Sequence, residues 1–197
     1  NGEWLWPKGS GTADAPIKID KYGGDALPVI NGMGIDRGMN YSGAVHLRNQ
    51  EYWEIRNLEV TNDDDFDVDI DLSRPQGDNG WSSQAETRNG ILIIADGDLL
   101  NDDDDGIFDH IYIENCYVHD VDGPNDWNDT FTGGIIYNVV GTKIRPNTSF
   151  RDIRIAYNTI RKVDLLGITG FVQMAKSGYQ DDVDTYNLWM EDIYIGH

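Results

Sequence analysis

The stretch Trp53-Glu54-Ile55-Arg56-Asn57-Leu58-Glu59-Val60 reappears as Ile111-Tyr112-Ile113-Glu114-Asn115-Cys116-Tyr117-Val118, and again as Ile153-Arg154-Ile155-Ala156-Tyr157-Asn158-Thr159-Ile160. A fourth copy opens at Ile193-Tyr194-Ile195. Each full copy is apolar at positions one, three and eight, with Leu58, Cys116 and Asn158 at position six. Alternation of period two is strand patterning. The break between positions three and six requires the strand to turn a corner before alternation resumes, which a single flat strand would not need.

A second apolar element recurs between these copies, as Gly43-Ala44-Val45-His46-Leu47, Gly90-Ile91-Leu92-Ile93-Ile94, Gly134-Ile135-Ile136-Tyr137 and Gly167-Ile168 through Phe171-Val172. The two elements together describe one winding of a coil, and the shortest winding, Gly43 to Asn62, takes 20 residues. Longer windings differ by polar insertions at residues 61–89, 95–107, 119–132, 138–149 and 173–188. In-phase recurrence at offsets of 58, 42 and 40 residues predicts an all-β parallel solenoid of about four to five windings across residues 1–197, its insertions leaving as surface loops. A β-sandwich would instead show hairpin turns between adjacent strands.

Composition narrows the partners. Of 197 residues, 15 are Lys or Arg and 35 are Asp or Glu, a formal charge of −20. That balance argues against nucleic acid and against an anionic membrane surface. No apolar run approaches the length of a membrane span. The 39% hydrophobic content, with 6 Trp and 10 Tyr, suffices for a core and excludes a disordered acidic tail. Cys116 stands alone, so an internal disulfide and a cysteine-clustered zinc site are excluded. It reads as a small buried thiol at a position that also accepts Leu58 and Asn158.

The Ile111-Tyr112-Ile113-Glu114-Asn115 type of segment, seen with Trp first at Trp53, resembles the right-handed parallel β-helix of the pectin-lyase-like superfamily over residues 12–197. The opening Trp6 to Ile19, followed by Pro28-Val29-Ile30-Asn31-Gly32, is similar to the N-terminal coils of secreted bacterial β-helix proteins that act on glycans. The resemblance implies a right-handed winding, a secreted or cell-surface location and a glycan partner. It also implies an activity drawn from polysaccharide lyases, glycoside hydrolases, epimerases or non-catalytic adhesins. The region His119-Asp120-Val121-Asp122-Gly123 with Gly133-Gly134-Ile135-Ile136-Tyr137 resembles the β-helical lacto-N-biosidases. Members of the superfamily usually run through more windings and carry a terminal cap. A fragment, a processed chain, or one partner of a larger β-helix completed by another chain or segment is therefore expected.

The repeat offsets also place candidate chemistry. Asp64, Asp122 and Asp164 differ by the same 58 and 42 residues as the strands they follow, which predicts neighbouring carboxylates about 5 Å apart on successive rungs. Retaining glycosidases use carboxylates about 5–5.5 Å apart, and inverting ones about 6.5–9.5 Å. Two acids so close push their pKa values apart, leaving one protonated and one ionised. Asp122 is the leading acid or nucleophile, with Asp64, Asp120 or Asp129 as partner and His119 in the same loop mouth. Trp81, Trp127 and Tyr179 lie in insertions where an aromatic face can stack on a sugar, and Arg88 and Arg161 are candidate polar contacts to substrate. The acidic run Asp102, Asp103, Asp104 and Asp105 offers hard oxygen ligands suited to calcium, so the cofactor expectation is calcium or none. A calcium-assisted lyase and a non-catalytic glycan binder are the alternatives to a hydrolase.

Overall fold

The computed structural model describes residues 4–33, 42–63, 88–123, 132–141, 147–174 and 188–196. Thirteen strands lie within them: β1 (Ile17–Ile19), β2 (Val29–Asn31), β3 (Ser42–Arg48), β4 (Trp53–Arg56), β5 (Glu59–Asn62), β6 (Arg88–Asp96), β7 (Ile107–Glu114), β8 (Tyr117–Val121), β9 (Gly133–Gly141), β10 (Thr148–Ala156), β11 (Thr159–Val163), β12 (Leu166–Met174) and β13 (Leu188–Gly196). They form three sheets ordered β1-β4-β7-β10-β13, β2-β5-β8-β11 and β3-β6-β9-β12. The named pairings are all parallel. Each strand thus pairs with the one three places later, and the chain is a right-handed parallel β-helix, the hand that right-twisted strands favour in parallel crossovers.

The repeat alignment is the physical register. Trp53 lies opposite Ile111, Ile111 opposite Ile153, and Ile153 opposite Ile193. Ile19, Ile55, Ile113, Ile155 and Ile195 make the parallel column two residues on. Ile55, Ile113 and Ile153 are fully buried or nearly so, as are Val60 and Val118 from the second sheet and Leu47, Ile93 and Ile135 from the third. Three sheets therefore share one apolar column. Strands extend into parts of all five predicted insertions, most clearly at 138–149, where β9 runs on to Gly141 and β10 begins at Thr148.

The predicted corner falls at position five, where Asn57, Asn115 and Tyr157 have φ of 52°, 56° and 59°. Asparagine tolerates this left-handed backbone because its short amide bonds locally, whereas a tyrosine there is held by the frame around it. At position six, Asn158 Oδ1 accepts from the Cys116 N–H at 2.9 Å and its Nδ2 donates to the Ile113 carbonyl at 2.8 Å, stitching adjacent rungs. Cys116 is buried as expected, and burial pushes its thiol up to about 11, which makes it packing material. At Gly170, opposite Tyr137, an added Cβ would stand 2.2 Å from the Tyr137 ring, so a larger residue there would displace that ring.

The segment carrying Leu5 adds a further bridge beside Val45. It lays Trp6 flat on His46, with centroids 4.8 Å apart, and Lys8 Nζ lies over the Trp6 ring, 3.3 Å from its centroid. His46 is fully buried, and burial, then the charges of Arg48 and Lys8, lower its pKa from 6.5 to about 3. The unfolded chain therefore binds a proton that the folded chain refuses between those two values, and stability falls as pH drops through that window. The expected slope is up to about 1.4 kcal/mol per pH unit. Urea midpoints measured in steps from pH 7 to pH 4 should show it, and His46→Phe should flatten it; an unchanged slope in that variant would assign the acid sensitivity elsewhere.

Candidate active site

On β8, Val118 and Val121 face the core, so alternation leaves two consecutive residues between them, His119 and Asp120, on the outside. The strand accommodates the extra residue with a bulge: Asp120 has φ of 46°, and the register shifts so that Thr61 lies opposite His119 but Asn62 opposite Val121. A bulge turns side chains that strict alternation would separate toward one face. On the following rung Lys162, with φ of 50°, supplies the matching irregularity. There Arg161 lies opposite His119 and Val163 opposite Val121.

His119 is the centre of this face. Its Nδ1 lies 2.6 Å from Asp120 Oδ2 and its Nε2 lies 3.1 Å from Glu59 Oε1, while the Tyr117 ring stacks on it at 4.1 Å. Lys162 Nζ approaches the other Asp120 oxygen at 3.4 Å. The His119 hydrogen bond, opposed by burial and reinforced by Lys162, holds the Asp120 carboxyl below its usual range. Asp120 is therefore an ionised group with both oxygens engaged by cations or donors, unsuited to delivering a proton. Glu59 escaped the sequence reading because it belongs to the preceding rung, although the 58-residue offset puts it opposite Tyr117.

Asp122 stands at the end of β8, half-buried. Its N–H reaches the Asn62 carbonyl at 3.3 Å, and Arg88 Nη1 lies 3.5 Å from its own carbonyl oxygen. The next N–H, of Gly123, donates to Asp164 Oδ2 at 3.2 Å. Asp164 N–H in turn reaches the Val121 carbonyl at 3.0 Å, so Asp164 and Asp122 are level on adjacent rungs as the offsets predicted. The three-acid ladder needs correction on its other side. The bulge removes one residue from the match with β5, and the residue level with Asp122 on the preceding rung is Asp63, not Asp64.

Arg88 is only 4% exposed and its guanidinium serves the Asp122 backbone, which places it beneath the loop mouth and not on an open cleft. Arg161 is exposed on β11. The run Asp102 to Asp105 lies in an exposed turn where Asp104 Oδ2 accepts from the Asn101 N–H at 2.7 Å and Asp105 Oδ1 from the Ile107 N–H at 3.3 Å. Among the described residues, no group of three or more His, Cys, Asp or Glu is arranged to hold a metal ion. Asp64, Asp129, Trp81, Trp127 and Tyr179 lie outside the described residues.

A second polar lattice covers the outside of the five-stranded sheet. Tyr52, His110, Asp152 and Asp192 occupy successive rungs at one level, with φ of 56°, 55°, 58° and 55°. His110 bridges Glu54 Oε1 and Asp152 Oδ2 at 3.3 Å each, and the Tyr112 hydroxyl donates to Asp152 at 3.0 Å. Lys18 and Arg56 flank Glu54 at 2.9 and 3.1 Å, and Arg56 and Arg154 flank Glu114 at 2.9 and 2.7 Å. Burial raises the Glu54 carboxyl, but the Lys18 and His110 hydrogen bonds and the Arg56 charge outweigh it, leaving a net lowering. These contacts tie the side chains of adjacent rungs together across the sheet. The offsets of 58, 42 and 40 residues link its members and were the signal that could have found it.

The fold and this lateral edge define a β-helical solenoid with carboxylates at its loop mouths. No protein-family model matches the chain. It is 27% identical over 226 residues to a lacto-N-biosidase of Bifidobacterium longum subsp. longum, an alignment covering 92% of this chain and 14% of that protein. Two crystal structures of the GH136 lacto-N-biosidase from Eubacterium ramulus superpose on it. The selenomethionine derivative gives a TM-score of 0.67 at 20% identity, and the native protein gives 0.65 at 21%. They cover 97% and 98% of this chain and 33% of theirs, so the chain spans a third or less of the length of these relatives.

Proposed function

We propose that the protein is a glycoside hydrolase acting on an oligosaccharide, with Asp122 as its principal acid. The observation that carries this reading is the sequence similarity to a lacto-N-biosidase along 92% of the chain, joined to a β-helical frame that sets carboxylates at the end of β8. Glycoside hydrolysis needs one protonated and one ionised carboxyl flanking the scissile bond. Asp120 is held ionised and fully engaged, which favours Asp122 for proton delivery or attack, with Asp63, level with it on the preceding rung, or Asp129 as its partner. The names of the relatives make a lacto-N-biose-terminated glycan the first substrate to try, and secretion or surface display fits a glycan of that kind.

The test is incubation with such an oligosaccharide in water enriched in heavy oxygen. Hydrolysis releases a disaccharide carrying one labelled oxygen and no unsaturated uronate absorbance. Proton NMR of the first-formed anomer then separates retention from inversion. Ligand recovered intact after prolonged incubation across a glycan panel would sink the hydrolase reading, and an absorbing unsaturated product would replace it with elimination.

A further inference from the structure

We infer that Asp164, one rung beyond Asp122, is a positioning residue that fixes the backbone carrying the Asp122 carboxyl; the catalytic half of this inference rests on the reading of Asp122 given above. The two residues are level because Val163 pairs with Val121. Asp164 is aimed by a tight turn of its own, in which Leu165 takes φ of 61° and the Leu166 N–H closes onto the Asp164 carbonyl at 2.8 Å. Its Oδ2 accepts the Gly123 N–H at 3.2 Å, the first peptide group after Asp122.

The same peptide is crowded from the other side. A Cβ on Gly123 would fall 2.6 Å from Thr132 Oγ1, so the chain leaving Asp122 passes directly against the chain returning to β9. Arg88 spans this mouth: its Nη1 lies 3.5 Å from the Asp122 carbonyl oxygen and its own N–H lies 3.5 Å from Thr132 Oγ1. With the Asp122 N–H on Asn62, every backbone hydrogen-bonding group from Asp122 N–H to Gly123 N–H meets a named partner. Of these partners the Asp164 carboxylate is supplied by the following rung. A glycine with no side chain of its own depends on such contacts to hold one conformation. A displacement of about 1 Å in a reacting group is worth about a hundredfold in rate.

Asparagine at 164 keeps an oxygen to accept from Gly123, and alanine does not. Asp164→Ala is expected to lower kcat by about ten- to a hundredfold with KM little changed, and Asp164→Asn to recover most of that loss. Amide hydrogen exchange at Gly123 should accelerate in Asp164→Ala and stay slow in Asp164→Asn. Parent kcat in Asp164→Ala would overturn the inference. So would an Asp164→Asn enzyme as slow as the alanine variant, since the charge itself would then be required. A parent that cleaves no glycan fails the functional reading alone; the exchange comparison still decides the contact, and equal exchange at Gly123 in parent and Asp164→Ala overturns it.

Discussion

Asp122→Asn is expected to reduce kcat on a lacto-N-biose-terminated glycan by about 10²–10⁴-fold, the range that a positioned acid or base contributes. The Asp122 contacts at its N–H and carbonyl are made by the backbone and survive the substitution, so the amide variant should remain folded, which urea unfolding checks alongside the rate. The leaving group sorts the role. An acid that protonates the departing oxygen matters less when that oxygen belongs to a nitrophenolate, so the deficit should shrink on an aryl glycoside. A nucleophile would be missed equally on both substrates. Activity within threefold of the parent on the natural glycan would remove Asp122 from the chemistry and return attention to the acids outside the described residues.

Phe150→Ala should cost about 3–5 kcal/mol, at the upper end for core truncations. Phe150 is fully buried on β10 and lies in register with Phe108 on β7 and Met190 on β13, its ring tilted 59° to that of Phe108 at 6.3 Å. Rungs on both sides are held by parallel pairing before and after Phe150, so the frame resists collapse into the void and the cavity persists. Urea unfolding at pH 7 measures the loss. A cost below about 1 kcal/mol would mean that neighbouring windings slide to close the gap. The half-buried Ile160 gives the internal contrast, since its truncation leaves a site already open on one side.

The fold was legible because a solenoid repeats its core in sequence. Trp53, Ile111, Ile153 and Ile193 are opposite one another in space at the offsets read from the sequence, and the corner anticipated between positions three and six is the left-handed residue at Asn57, Asn115 and Tyr157. What periodicity does not carry is a single inserted residue. Asp120 at φ of 46° shifts β8 against β5, which moved the rung below from Asp64 to Asp63. Nothing in the residue types around Thr61 and Asn62 announces that shift. The buried position of Arg88 was equally invisible, because a cation bonded to a backbone carbonyl and one facing substrate are written with the same letter. The lattice around His110 stayed hidden for a different reason: its members sit on backbone that breaks alternation, where sequence patterning looks like loop.

The connection between the first and second sheets is two residues on each of the last three full rungs, Asn57 and Leu58, Asn115 and Cys116, Tyr157 and Asn158, whereas the one between the second and third sheets runs over 63–87, then 122–132, then only 164 and 165. Two neighbouring edges of one prism thus obey different rules. On those three rungs the left-handed residue leaves no slack at the first edge, although the first rung crosses it over 20–28; at the second, length is unconstrained by the stacking. Laboratory grafting can therefore exchange excursions along that permissive seam while the coil that holds them keeps its register.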